Sequence, residues 1–253
     1  MSPLRLLAVV LAVGLGGMAL AQPATQGPTP RGQRYGLGPL MPPLPASDGQ
    51  GQALDGLAVA QGTVGLGALA CHSCHGLEGN ADGSGAFPRL AGQPGWYLLK
   101  QLQDYAAGRR PNEAMAMVAR QLTDRQMRDV SAWYSAQTPS AGGIAEEAQV
   151  RQRQLGGAIA AVGVPERGVT ACTSCHGRLG EGVAPSVPSL AGQFAPYAAL
   201  QLQLWKRGER RNDPLGVMAQ IARGMSDEEI DAVAAYFSAL DPNQTGRPFR
   251  AER

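Results

Sequence analysis

The chain has 253 residues, room for one large domain or two small ones, of which 44% are hydrophobic, 17% charged and 5% aromatic. Its 34 glycines and 19 prolines predict a loop-rich protein without reaching the composition of collagen or of a wholly disordered chain. Lys plus Arg total 22 against 20 for Asp plus Glu, so no electrostatic footprint marks nucleic acid or an anionic membrane as the partner.

Arg5 precedes an apolar run from Leu6 to Leu20, and Ala19-Leu20-Ala21 supplies the small residues that a signal peptidase reads. Residues 1–21 are expected to be a signal peptide cleaved after Ala21, and the protein to be exported. The run is shorter than the roughly 20 residues of a spanning helix, so no stable membrane insertion is expected after cleavage. Residues 22–51 hold six glycines and seven prolines and read as an extended linker.

The rest of the chain repeats itself at a period of about one hundred residues. Cys71-His72-Ser73-Cys74-His75 recurs as Cys172-Thr173-Ser174-Cys175-His176, Leu90-Ala91-Gly92-Gln93 as Leu190-Ala191-Gly192-Gln193, and Gln101-Leu102-Gln103 as Gln201-Leu202-Gln203. Two tandem domains, 52–137 and 144–240, are expected, with a link at 138–143 and a tail at 241–253. Formal charges cancel within each half.

In chain order, a helix is expected to lead into each Cys cluster, near 52–68 and 145–161. Trp96 to Ala107 and Ala195 to Arg207 carry apolar residues at helical spacing and stop at Gly108 and Gly208. Thr123-Asp124-Arg125-Gln126 and Ser226-Asp227-Glu228-Glu229 read as capping boxes that open a last amphipathic helix in each half. No alternating strand pattern is present, so the fold class is all-α. Arg109-Arg110 and Arg210-Arg211, just past the glycine stops, read as solvated surface rather than binding groups.

The chemistry sits in the two Cys-x-x-Cys-His motifs. Two cysteines at this spacing form thioethers to the vinyl groups of a haem, and the histidine after the second is carried beneath the iron as its proximal ligand. Disulfides, a thioredoxin-like pair or a Cys-rich zinc site would each leave both histidines unexplained. Two covalently bound haem c groups are therefore expected, on Cys71 and Cys74 with His75, and on Cys172 and Cys175 with His176. The chain has only three histidines, and His72 lies inside the first attachment loop, so bis-His ligation of both irons is excluded. Methionine is the remaining usual axial partner. Aligning the halves through Thr123 and Ser226 sets Met115 opposite Met218, whereas Met117 falls opposite Gln220 and Met225 opposite Leu122. Met115 and Met218 are the candidate sixth ligands; the competing reading is that they fill the core. The carbonyls of Pro88 and Pro188 are candidate acceptors for the second ring nitrogen of each proximal histidine. Tyr97, Tyr197, Trp96 and Trp205 lie where they could line the haem edges or simply pack.

Twice over, Cys-x-x-Cys-His is followed by Pro-x-Leu-Ala-Gly-Gln, a tyrosine, a Gln-Leu-Gln helix, a methionine and a last amphipathic helix. This order resembles the dihaem class I cytochromes known as cytochrome c4, over about residues 52–240. The resemblance implies two tandem class I cytochrome c domains, His/Met ligation of both irons, a periplasmic location, and electron delivery to a terminal oxidase or other acceptor. The expected function is one-electron transfer between a quinol-oxidising complex or a dehydrogenase and that acceptor, without enzymatic activity. The alternatives are a cytochrome c subunit of a membrane-bound dehydrogenase or oxidase complex, tethered or docked through residues 22–51, and a dihaem peroxidase or thiosulfate dehydrogenase. An enzyme would need an iron with a labile sixth ligand or a Cys ligand, and all four cysteines are already assigned.

Overall fold

The computed structural model describes residues 51–64, 69–140 and 150–243. The expected signal peptide (1–21), all but the last residue of the linker (22–51), the link beyond Ser140 and the tail beyond Asn243 lie outside the described residues. Among the described residues the fold is all-α, with two isolated β-bridges, Val164 with Val169 and Val183 with Val187.

The first half runs α1 (Ala53–Ala60), α2 (His72–His75), α3 (Gly95–Ala106), α4 (Glu113–Ala119) and α5 (Asp124–Ser135). The second repeats the order as α6 (Val150–Val162), α7 (Thr173–His176), α8 (Ala195–Lys206), α9 (Val217–Gly224) and α10 (Asp227–Ser238). Both capping boxes form. Gln126 N–H donates to Thr123 Oγ1 at 3.2 Å and Thr123 N–H to Gln126 Oε1 at 2.9 Å, and Ser226 exchanges the same two bonds with Glu229. Each box satisfies two donors at a helix start. The helices α3 and α8 end two residues before Gly108 and Gly208, whose φ of +72° and +71° would strain any residue bearing a Cβ.

α1 is shorter than expected, because Gly62 turns the chain at φ +74° and Thr63 closes the helix end with two bonds to the Ala58 carbonyl. α4 and α9 are too short to show in the apolar periodicity. Asn112 caps the first through Oδ1, which accepts from Met115 N–H at 2.8 Å, and Asp213 Oδ2 accepts from Ala219 N–H at 3.1 Å in the second.

α1 packs across α5, and α6 across α10. The crossings need glycine: a Cβ on Gly56 would collide with the Asp129 carbonyl, and one on Gly156 with the Ala232 carbonyl. Each half has its own core. Val59, Leu98, Leu99, Met127, Val130 and Tyr134 fill the first, and Ile159, Val169, Met225, Ile230 and Val233 the second. Full burial of a side chain such as Ile230 stabilises by about 2 kcal/mol.

The halves meet through buried polar side chains. Gln101 Oε1 accepts from Arg110 Nη1 at 3.0 Å and from Arg210 Nη2 at 3.2 Å, while Gln201 Oε1 accepts from Arg110 Nη2 at 2.8 Å and Arg210 Nη1 at 2.7 Å. Arg110 stacks on Tyr105 and Arg210 on Trp205, at 4.7 Å and 3.9 Å to the ring centroids. The expectation of a solvated surface here holds for Arg109 and Arg211 but not for Arg110 and Arg210, which are 5% and 4% exposed. One amide oxygen from each half, and an aromatic face from the arginine's own half, replace water around each of these two guanidinium groups.

Candidate functional site

In each half the Cys-x-x-Cys-His motif forms a single helical turn. His75 N–H donates to the Cys71 carbonyl at 2.9 Å, and His176 N–H to the Cys172 carbonyl at 2.9 Å. The turn brings both thiols and the imidazole to one wall. Its second residue pins the motif to the preceding helix by different chemistry in the two halves: His72 Nδ1 lies 3.1 Å from the Ala60 carbonyl, and Thr173 Oγ1 donates to the Ala160 carbonyl at 3.1 Å. His72 is thereby held against α1.

His75 and His176 are 7% and 8% exposed. His75 Nδ1 donates to the Pro88 carbonyl at 3.0 Å and His176 Nδ1 to the Pro188 carbonyl at 2.9 Å, the two acceptors expected from the sequence. Each bond fixes the ring and its tautomer, leaving Nε2 as the nitrogen available to a metal. Burial holds both imidazoles below their ordinary pKa, against the opposing effect of the carbonyl bond, so they are neutral at physiological pH. Burial also pushes the Cys71 and Cys172 thiols up to about 11. None of the four cysteines is in a disulfide.

Both histidines and all four cysteines line one cavity of about 660 Å³ that runs through both halves. Met115 on α4 and Met218 on α9 line it as half-buried side chains. Met117 and Met225 also line it, but Met117 is 53% exposed and Met225 is packed among Ile159, Val169, Ile230 and Val233. Tyr97, Tyr197 and Trp205 line the cavity, and Trp96 is not among its walls. Two donors on the walls, Arg89 Nε and Trp205 Nε1, are buried without a partner. A cavity with free thiols, two neutral imidazoles and unpaired donors fits a pair of flat apolar groups with anionic edges, as haem is.

Several residues that shape the site were not singled out from the sequence. Gln93 and Gln193 tie each half to the other, as do Gln101, Gln201 and Asn212. The repeated Leu-Ala-Gly-Gln and Gln-Leu-Gln segments were the available signal. Arg89 also crosses the interface, its Nη1 donating to the Gly192 carbonyl and its guanidinium lying 4.9 Å from the Phe194 ring centroid.

The cytochrome c family model matches residues 59–136 and again 168–241. The thiosulfate dehydrogenase electron acceptor of Stutzerimonas stutzeri (strain A1501) is 41% identical over 202 residues, covering 78% of this chain and 92% of the relative. Cytochrome c4 of Pseudomonas aeruginosa is 38% identical over 195 residues, covering 74% of this chain and 93% of the relative. Among solved structures, reduced recombinant cytochrome c4 from Pseudomonas stutzeri is similar at a TM-score of 0.64 and 35% identity, covering 75% of this chain and 99% of that chain. The chain therefore belongs to the cytochrome c family, as a dihaem member of the cytochrome c4 type with one covalently bound haem c in each half.

Proposed function

We propose that this electron-transfer protein is an exported carrier, taking electrons singly from a quinol-oxidising complex or a dehydrogenase and passing them to a terminal oxidase or another acceptor. The observation that carries the reading is the doubled geometry: in each half a buried imidazole tied at Nδ1, a thiol pair and a methionine all open on one shared cavity. In this reading Cys71 and Cys74, and Cys172 and Cys175, hold the porphyrins as thioethers. His75 and His176 are the proximal ligands, and Met115 and Met218 the sixth. When bound, the haem iron supplies a one-electron ferrous/ferric couple. The Pro88 and Pro188 carbonyls fix the imidazoles, and the Met115 and Met218 sulfurs would keep small molecules from the iron. Export rests on Arg5, the run from Leu6 to Leu20 and the Ala19-Leu20-Ala21 site. Among the described residues, no helix is long and apolar enough to cross a membrane.

A second reading names the donor. The relative from Stutzerimonas stutzeri is described as a thiosulfate dehydrogenase electron acceptor, and the same role here makes a thiosulfate dehydrogenase the donor. Ferric protein is mixed anaerobically with thiosulfate, with and without a thiosulfate dehydrogenase, and the reduced absorption bands are followed. Reduction only in the presence of the enzyme supports this donor. Turnover of thiosulfate or peroxide by the protein alone, at about ten per second or more, would replace the carrier by an enzyme.

A further inference from the structure

We infer that each half positions the proximal histidine of the other, Gln193 acting on His75 and Gln93 on His176. The side-chain amide of Gln193 grips the backbone of Arg89 twice: Arg89 N–H donates to Gln193 Oε1 at 3.0 Å, and Gln193 Nε2 donates to the Arg89 carbonyl at 3.0 Å. Gln93 grips Ser189 in the same way, at 3.0 Å from Ser189 N–H and 2.8 Å to its carbonyl. Both glutamines are buried.

The N–H of Arg89 and the carbonyl of Pro88 belong to one planar peptide group. That group accepts from His75 Nδ1 on one side and donates to Gln193 Oε1 on the other. The peptide between Pro188 and Ser189 sits likewise between His176 and Gln93. Hydrogen bonds in series polarise one another, so an acceptor at the amide N–H makes its carbonyl a stronger acceptor. A stronger acceptor at Nδ1 makes the imidazole a more basic ligand, which favours ferric over ferrous iron. Gln193 therefore lowers the potential of the first haem, and Gln93 that of the second. The two glutamines are positioning residues, acting on the iron through a peptide group and an imidazole.

The inference rests on His75 and His176 being the proximal ligands, which the wild-type ferric spectrum reports separately. The test is a redox titration of the dihaem protein followed by hyperfine-shifted proton NMR, which resolves the two haems. The first is assigned through contacts to Phe87, whose ring centroid lies 6.1 Å from that of His75; Val187 holds this place in the second half. In Gln193→Leu the first haem is expected to rise in potential and its proximal-histidine resonances to move, with the second haem unchanged; Gln93→Leu gives the mirror result. Gln193→Glu gives Arg89 N–H a stronger, charged acceptor and is expected to lower the first potential with the second unchanged. It carries the test by the same criterion if Gln193→Leu does not take up haem. A change confined to the mutated half's own haem, an equal change in both, or no change in either overturns the inference.

Discussion

The carboxylate of Asp104 in the first half lies 2.7 Å from the side-chain amide nitrogen of Asn212 in the second. Asp104 is 2% exposed and also accepts from Lys100 and from Arg109. Burial by itself would raise its pKa, but the bonds from Lys100, Asn212 and Arg109 outweigh it and hold the carboxyl below the ordinary range. A group whose folded pKa is depressed adds stability above its unfolded pKa and loses it as pH falls through the folded value. The dihaem protein is therefore expected to lose stability below about pH 4. Asp104→Asn should flatten that acid limb and cost about 2 kcal/mol at pH 7. Denaturant unfolding at a series of pH values measures both, and an unaltered acid limb in the variant would contradict this role.

Gly56 supplies the contact between α1 and α5. Helix propensity alone favours Gly56→Ala by about 1 kcal/mol. The collision with the Asp129 carbonyl reverses the sign, and the helices must separate. Gly56→Ala and Gly156→Ala are each expected to destabilise by about 2 kcal/mol. Thermal unfolding of the ferric protein reads the shift, and a raised midpoint would show that the crossings can relax.

Met115→Ala and Met218→Ala are each expected to remove the ferric Met-to-iron band of one haem and to lower that haem's potential, because a thioether favours ferrous iron. Met117→Ala should leave both bands intact, since its side chain is largely exposed. Met225→Leu should do the same with little loss of stability, as a near-isosteric change within the second core. A band lost in Met117→Ala instead of Met115→Ala would move the ligand by two residues along α4.

Adjacency made the haem motifs legible in the sequence, because Cys, Cys and His act from one helical turn. The proline carbonyls were legible for a related reason: they sit in a loop 13 and 12 residues beyond their histidines and carry no N–H of their own. The cross-links between the halves were not. Repetition shows that Gln93 and Gln193 are equivalent but not that each touches the other half. Burial of Arg110 and Arg210 depends on glutamines and aromatic faces gathered from both domains, so their local sequence, charged and next to a glycine stop, pointed to solvent. Nothing in the local sequence marks Gly56 as a helix crossing, because the carbonyl it meets, that of Asp129, lies more than seventy residues further along the chain. The helix α4 opens at its Asn112 cap and α9 is held by Asp213 through the Ala219 N–H, and their apolar pattern is too brief to show in the sequence.

The proposed export predicts a mature protein beginning at Gln22. Intact-mass measurement of the purified holoprotein should give the mass of residues 22–253 plus two haem groups. A mass that retains Met1, in a product extracted only with detergent, would make residues 22–51 a membrane tether.

In the proposed function each half holds one six-coordinate His/Met haem acting as a one-electron couple. The most direct test is a potentiometric titration of the whole protein followed by visible absorption. Two one-electron transitions per chain are predicted, with low-spin ferric spectra for both haems and a Met-to-iron band that disappears in step with reduction. A high-spin ferric spectrum from either haem, or a titration that integrates to one electron per chain, would contradict the account.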